Sequence, residues 1–173
     1  MSNDITRRGI LSGLLGASAV GVLAACGAGG GAARASNSKP AATAVPSTST
    51  TGRTRTFQLR ARPALVDLGG QVVDTWTYGA ALPGTALRAS AGDRVRVAFA
   101  NDLPAETSVH WHGLAIRNAM DGVPGVTTPP VPAGGQFSFD FIVPYAGTHW
   151  FHPHTGLQLD RGLYAPFIVD DPH

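Results

Sequence analysis

The chain holds a single cysteine in 173 residues, which excludes an internal disulfide and any metal site built on paired thiolates. Charged side chains make up only 14% of the sequence and nearly cancel, leaving a formal net charge of +2. No basic cluster or Arg-rich face accompanies that small surplus, so a nucleic-acid partner is not expected. Long apolar runs are also missing: Ile10 to Leu23 is short and glycine-rich, a poor membrane span. No window carries a sustained helical period, which argues against a helical fold.

What the first residues do hold is the pattern of an export signal over residues 1–25, with Arg7-Arg8 ahead of the apolar run. The arginine pair after Thr6 resembles the twin-arginine signal, whose route carries folded, metal-loaded precursors. Leu23-Ala24-Ala25-Cys26 resembles the bacterial lipoprotein processing box, which implies a lipid on Cys26, a membrane partner through that anchor, and a place on the extracytoplasmic face of the cell membrane. An ordinary cleaved signal with an incidental cysteine is the other reading. With Cys26 committed to an anchor, no thiolate remains for a blue-copper electron-transfer site, which needs one. Residues 26–53 are Gly, Ala, Ser, Thr and Pro with almost no large apolar side chain. Such a composition buries too little surface to offset its ordering entropy and reads as a tether.

The folded part is expected at 54–171, about 120 residues, enough for one core. Its segments are short, β-branched or aromatic, and separated by Gly, Pro and Asp turns, the pattern of an all-β sandwich. Strands are predicted at 54–61, 65–68, 71–78, 86–89, 94–100, 108–112 and 136–143, then in the segment after Gly147 and over 163–169. Phe137, Phe139 and Phe141 share one face by alternation and are assigned to the core. Acidic and proline residues directly after the last strand, Asp170-Asp171-Pro172, read as the opening of an interdomain linker, so a fragment of a larger protein is expected.

Five of the six histidines fall in two short segments, His110-Trp111-His112-Gly113 and Gly147-Thr148-His149-Trp150-Phe151-His152-Pro153-His154. Each segment holds an i, i+2 pair, which an extended strand points to one side of a sheet. Two such strands side by side would gather four imidazoles, a donor set that suits Cu, Zn, Fe or Ni. His149 stands an odd number of residues from His152 and is expected on the opposite face, as a core or supporting residue. Trp111, Trp150 and Phe151 are expected to wall the site, and His173 has no assigned role.

These motifs, with Met120-Asp121-Gly122-Val123-Pro124-Gly125 and Gly162-Leu163-Tyr164-Ala165-Pro166-Phe167-Ile168-Val169 and with Leu82-Pro83-Gly84, Gly92-Asp93 and Asn101-Asp102-Leu103 upstream, resemble the first cupredoxin domain of a laccase-like multicopper oxidase. The resemblance implies a Greek-key β-sandwich and copper as the cofactor. It implies His110 on the type 2 ion of a trinuclear cluster, His112 and His152 on one type 3 ion, and His154 on the other. Asp121 matches an acid thought to relay protons to oxygen intermediates; it also suits a tight turn with Gly122, and the two roles are compatible. Imidazole by itself does not select copper over zinc, so the metal follows from the resemblance.

A complete oxidase of that family also needs a blue-copper site and four further histidines, which the segments here do not supply. The expected partners are therefore the remaining cupredoxin domains, in the same chain or another subunit, together with O2 and a small reducing substrate oxidised at the missing type 1 site. Half a cluster should hold copper weakly. The alternative is a non-enzymatic lipoprotein that binds or sequesters copper.

Overall fold

In a computed structural model the described residues are 50–173, and the export signal, Cys26 and most of the tether lie outside them. Eight strands form two four-stranded sheets: β1 (Thr54–Asp67), β2 (Val72–Tyr78), β3 (Leu87–Ser90), β4 (Arg94–Asn101), β5 (His110–His112), β6 (Gln136–Ile142), β7 (Gly147–His152) and β8 (Ala165–Asp170). The first sheet runs β2-β1-β4-β6 and the second β3-β8-β7-β5. Pairing is antiparallel except for β1 with β4 and β3 with β8, so this is an all-β sandwich of mixed sheets, as the turn spacing predicts. A 3-10 turn at Asn118–Met120 is the one helical element among the described residues. No described helix is long and apolar enough to cross a membrane.

Alternation builds the core. Val95, Val97 and Phe99 of β4 are buried while Arg94, Arg96 and Ala98 face out. Phe139 and Phe141 are buried in the same way, and Phe137 packs half-buried against them. From the second sheet Trp111, Phe151 and Phe167 meet this layer with no exposed surface.

Two predicted segments, 54–61 and 65–68, are one strand. β1 pairs with β4 through its first half and with β2 through its second, the register changing partner at Ala61. Pro63 is tolerated because it lies in the half paired on one side only, opposite Trp76, whose own N–H points away to Arg161 O at 3.2 Å. β5 is shorter than expected: Ser108 precedes the ladder, and its carbonyl accepts the Tyr78 hydroxyl at 3.1 Å.

The end of the Gly/Ser/Thr-rich stretch is tied to the sandwich. Thr51 N–H donates to Gly92 O at 2.9 Å, and its hydroxyl donates to Asp93 Oδ1 at 2.6 Å. Asp93 has no exposed side-chain surface, yet it meets Arg53 at 3.1 Å, Arg55 at 3.4 Å and the Ser90 N–H at 3.0 Å. Burial acts to raise its pKa, but the Thr51, Ser90 and Arg53 contacts outweigh it and hold the carboxyl below the ordinary value.

Candidate metal centre

The site begins with a three-residue strand. In β5 the central Trp111 turns inward, its ring centroid 5.1 to 5.7 Å from those of Phe139, Phe141, Phe151 and Phe167. His110 and His112 must then face outward. Antiparallel register with β7 places His110 opposite His152, Trp111 opposite Phe151 and His112 opposite Trp150. Three imidazoles therefore share the outer face of the second sheet at its β5 edge. A one-residue slip would bring the indole out and the imidazoles in, so burial of Trp111 fixes the register.

The ligand nitrogens of His110, His112 and His152 all lie within 4.8 Å of one another. His112 Nδ1 stands 3.1 Å from His152 Nε2. The other nitrogen of His152, Nδ1, lies 3.1 Å from Pro153 O and can only donate there, which leaves the Nε2 lone pair free. His110 Nδ1 is 2.9 Å from Asp121 O and 3.3 Å from Asp121 Oδ1, so its Nε2 is the nitrogen available to a metal. Trp150 stacks on His152 at 4.1 Å and 26°, walling the site as expected.

A tight four-histidine group was expected; the structure gathers three. His154 stands beside them, its ring 4.7 Å from His110 and 5.0 Å from His152 by centroid. The reason is the backbone. β7 ends at His152, Pro153 has no N–H to continue the ladder, and His154 falls in the following loop. His149 does lie off the site. It packs against Tyr145 at 5.6 Å, with Nε2 buried and without a hydrogen-bond partner. His173 is exposed, its N–H on Asp171 at 3.0 Å.

Burial, opposed by the Pro153 carbonyl and reinforced by the neighbouring imidazoles, lowers the His152 pKa to about 4. Burial and His110 also lower that of His154, against the pull of Asp121. Both rings are thus neutral at physiological pH, the state in which imidazole ligates.

Asp121 follows the 3-10 turn, its N–H donating to Asn118 O at 3.0 Å, and it meets His110 through both its carbonyl and its carboxylate. The turn and the acid beside a histidine are one arrangement. Gly122 makes it possible: at φ +79, a Cβ would fall 1.7 Å from Val109 O, so any side chain would lift the loop off β5. That close approach is not readable from the sequence beyond the bare presence of a glycine. Ser108 and Gln158, which hold the His154 loop, were also missed; buried side-chain contacts between distant segments leave no local signal.

Copper fits this donor set. The donors are imidazole nitrogens, and two of them on one ion at about 2.05 Å would stand about 2.9 to 3.3 Å apart for right-angled to tetrahedral coordination, which brackets the 3.1 Å between His112 and His152. An all-β sandwich carrying such a cluster on one outer face defines a cupredoxin-like, copper-binding domain.

Comparison with known proteins agrees. The family described as multicopper oxidase matches residues 61–173. Multicopper oxidase MmcO of Mycobacterium tuberculosis is 53% identical over 121 residues, covering 70% of this chain and 24% of the relative. Copper resistance protein A of Pseudomonas syringae pv. tomato is 32% identical over 98% of this chain and 26% of its own length. Among solved structures, a multicopper oxidase from Pseudomonas thermotolerans superposes with a TM-score of 0.67 at 40% identity, over 69% of this chain and 30% of that one. The laccase from Botrytis aclada gives 0.67 at 35% identity, over 71% and 23%. This chain belongs to the multicopper oxidase family, and it spans about a quarter of the length of these curated relatives.

Proposed function

We propose that this chain contributes one side of a trinuclear copper cluster at which O2 is reduced to water, with the other side and the type 1 site supplied by further cupredoxin domains. His110 would hold the type 2 ion, His112 and His152 one type 3 ion, and His154 the other. The observation that carries this reading is the 3.1 Å spacing of His112 Nδ1 and His152 Nε2 on an outer face rather than in the core. Nitrogens so placed can share an ion and still be reached by a second domain. Displacement of His154 from the tight group fits a ligand directed to a separate ion. Copper, when bound, supplies one-electron redox chemistry. The chain's own residues do the rest: Trp150 and the aromatic layer keep the rings in register, Pro153 and Asp121 orient the ring nitrogens, and the Asp121 carboxylate stands 3.3 Å from His110 Nδ1, placed to relay protons.

The relatives are named as multicopper oxidases, laccases and copper resistance proteins, which supports copper and leaves the reducing substrate open. Export through the twin-arginine route and lipidation at Cys26 complete the proposal; mass analysis of the mature N-terminus would read the lipid directly.

The test is a copper titration of the full chain followed by optical and electron spin resonance spectra, alone and with the missing domains. The chain alone should bind copper weakly through imidazole nitrogen, with a coupled cluster signal only after the other domains are added. A fully coupled trinuclear signal from this chain by itself would contradict the shared-site reading.

A further inference from the structure

The strand ladder that fixes three histidines does not reach His154, so something else must set its place. Its N–H donates to Ser108 Oγ at 2.9 Å. Four residues on, the Gln158 side chain is buried, and both ends of its amide are engaged on one neighbouring segment. Its Oε1 accepts the Thr107 hydroxyl at 2.6 Å, and its Nε2 donates to Glu106 O at 2.8 Å. The Gln158 N–H also closes a turn onto Thr155 O at 3.2 Å, which shortens the path back to His154.

The segment they grip is itself hydrogen-bonded to the rest of the sandwich. Thr107 is fully buried and exchanges two backbone hydrogen bonds with Val131, at 2.9 and 2.8 Å. Tyr78, on the other sheet, holds the Ser108 carbonyl. The far end of the loop is docked separately, with Arg161 stacked 4.0 Å over Trp76. Between these points, the hydrogen bonds of the loop to the β5 side run through Gln158 and Ser108, whose hydroxyl also meets that of Thr155 at 3.3 Å, beside the ring contact of His154 with His110.

We infer that Gln158, assisted by Ser108, is the positioning residue for His154, a latch that sets this ring independently of the strand-held His110, His112 and His152. The copper consequence rests on the function proposed above, whereas the latch itself is a property of the metal-free chain. Removing the Gln158 amide leaves the buried Thr107 hydroxyl without its partner, which favours loop release.

The test compares the full chain with Gln158→Leu and with Thr107→Val, which removes only the hydroxyl and guards against a failure of the first variant to fold. Amide hydrogen exchange without metal should quicken at His154 by about tenfold or more, while Trp111 and Phe151 keep the parent rates. Unchanged His154 exchange in both variants, or equal quickening at all three residues, overturns the latch. In a Cu(II) titration the variants should lose the component that His154→Ala also removes and keep the one that His112→Ala removes; loss of both components together equally overturns it. A parent chain that binds no copper through its histidines would sink the copper reading, with the exchange measurement still deciding the latch.

Discussion

The two sheets share a core but present opposite chemistry to the outside. On the first, Arg94 grips Asp140 through two hydrogen bonds of 2.7 and 2.8 Å and Arg96 adds a third contact at 3.3 Å, so the charges are paired within the face. The second begins the same way, with Arg88 on Asp170 at its β3 edge, and then changes across β7 and β5 to Trp150 and clustered imidazoles. A face of paired ions is complete in water. A face of clustered imidazole nitrogens offers donors to a metal, and that asymmetry separates the scaffold side of the molecule from the site.

The largest effect should come from breaking what joins the sheets. Trp111→Ala removes a fully buried indole packed on four phenylalanines. It should destabilise the domain by about 3–5 kcal/mol, read in denaturant melts, and copper binding should fall with the fold. His112→Ala should separate the two. This exposed ring contributes little to stability, so melting should stay near the parent, while copper affinity drops by more than about 100-fold, beyond the loss usual for a supporting partner. Equal copper affinity would remove His112 from the site.

Acid should distinguish the faces by window. The His152 pKa is lowered from 6.5 to about 4 in the fold, so the unfolded chain binds the extra proton first. Stability from this group is full above 6.5 and falls as pH drops from there towards 4. Asp93 and Asp140 are lowered from an ordinary value of 3.8, so their share persists until pH falls below that value and through the folded one. A metal-free chain should therefore lose stability in two stages, and His152→Phe should shrink the upper one, to which His154 and His149, also lowered from 6.5 by burial, still contribute. A single stage below 3.8 in the parent would show that His152 is not held neutral by the fold.

How much of this the sequence carried depends on the range of each cause. Period-two alternation is local, so the strands at 94–100 and 136–143 and the shared face of His110 and His112 could be read, whereas Trp111, expected to wall the site, lies in the core. Pairing of the two histidine segments was inferred, and the register of His110 with His152 confirms it. Pro63 hid the continuity of β1, because whether a proline interrupts a strand depends on which neighbours it has. His154 was placed beside the others by its i, i+2 spacing, and its ring does stand next to His110 and His152, but Pro153 ends the strand, so the loop and not the ladder sets its position. Gly122 and Gln158 act through contacts with β5 and its approach, and no local pattern encodes those.

The smallest effect should fall on the first sheet. Asp140→Asn breaks the Arg94 fork, but the arginines are about half exposed and Asp140 is 30% exposed, so water replaces much of what is lost. The cost should be below about 1 kcal/mol and should shrink further in high salt as screening weakens the parent pair. Copper affinity should not change, since the pair lies on the sheet away from the histidines. The carbonyl of Asp140 still accepts from Arg117 at 3.0 Å whatever the side chain is, so the loop leading to Asp121 keeps that anchor. If Asp140→Asn did weaken copper, the charged face would be coupled to the site through that loop, and the division between scaffold side and reactive side would have to be redrawn at Asn118–Met120.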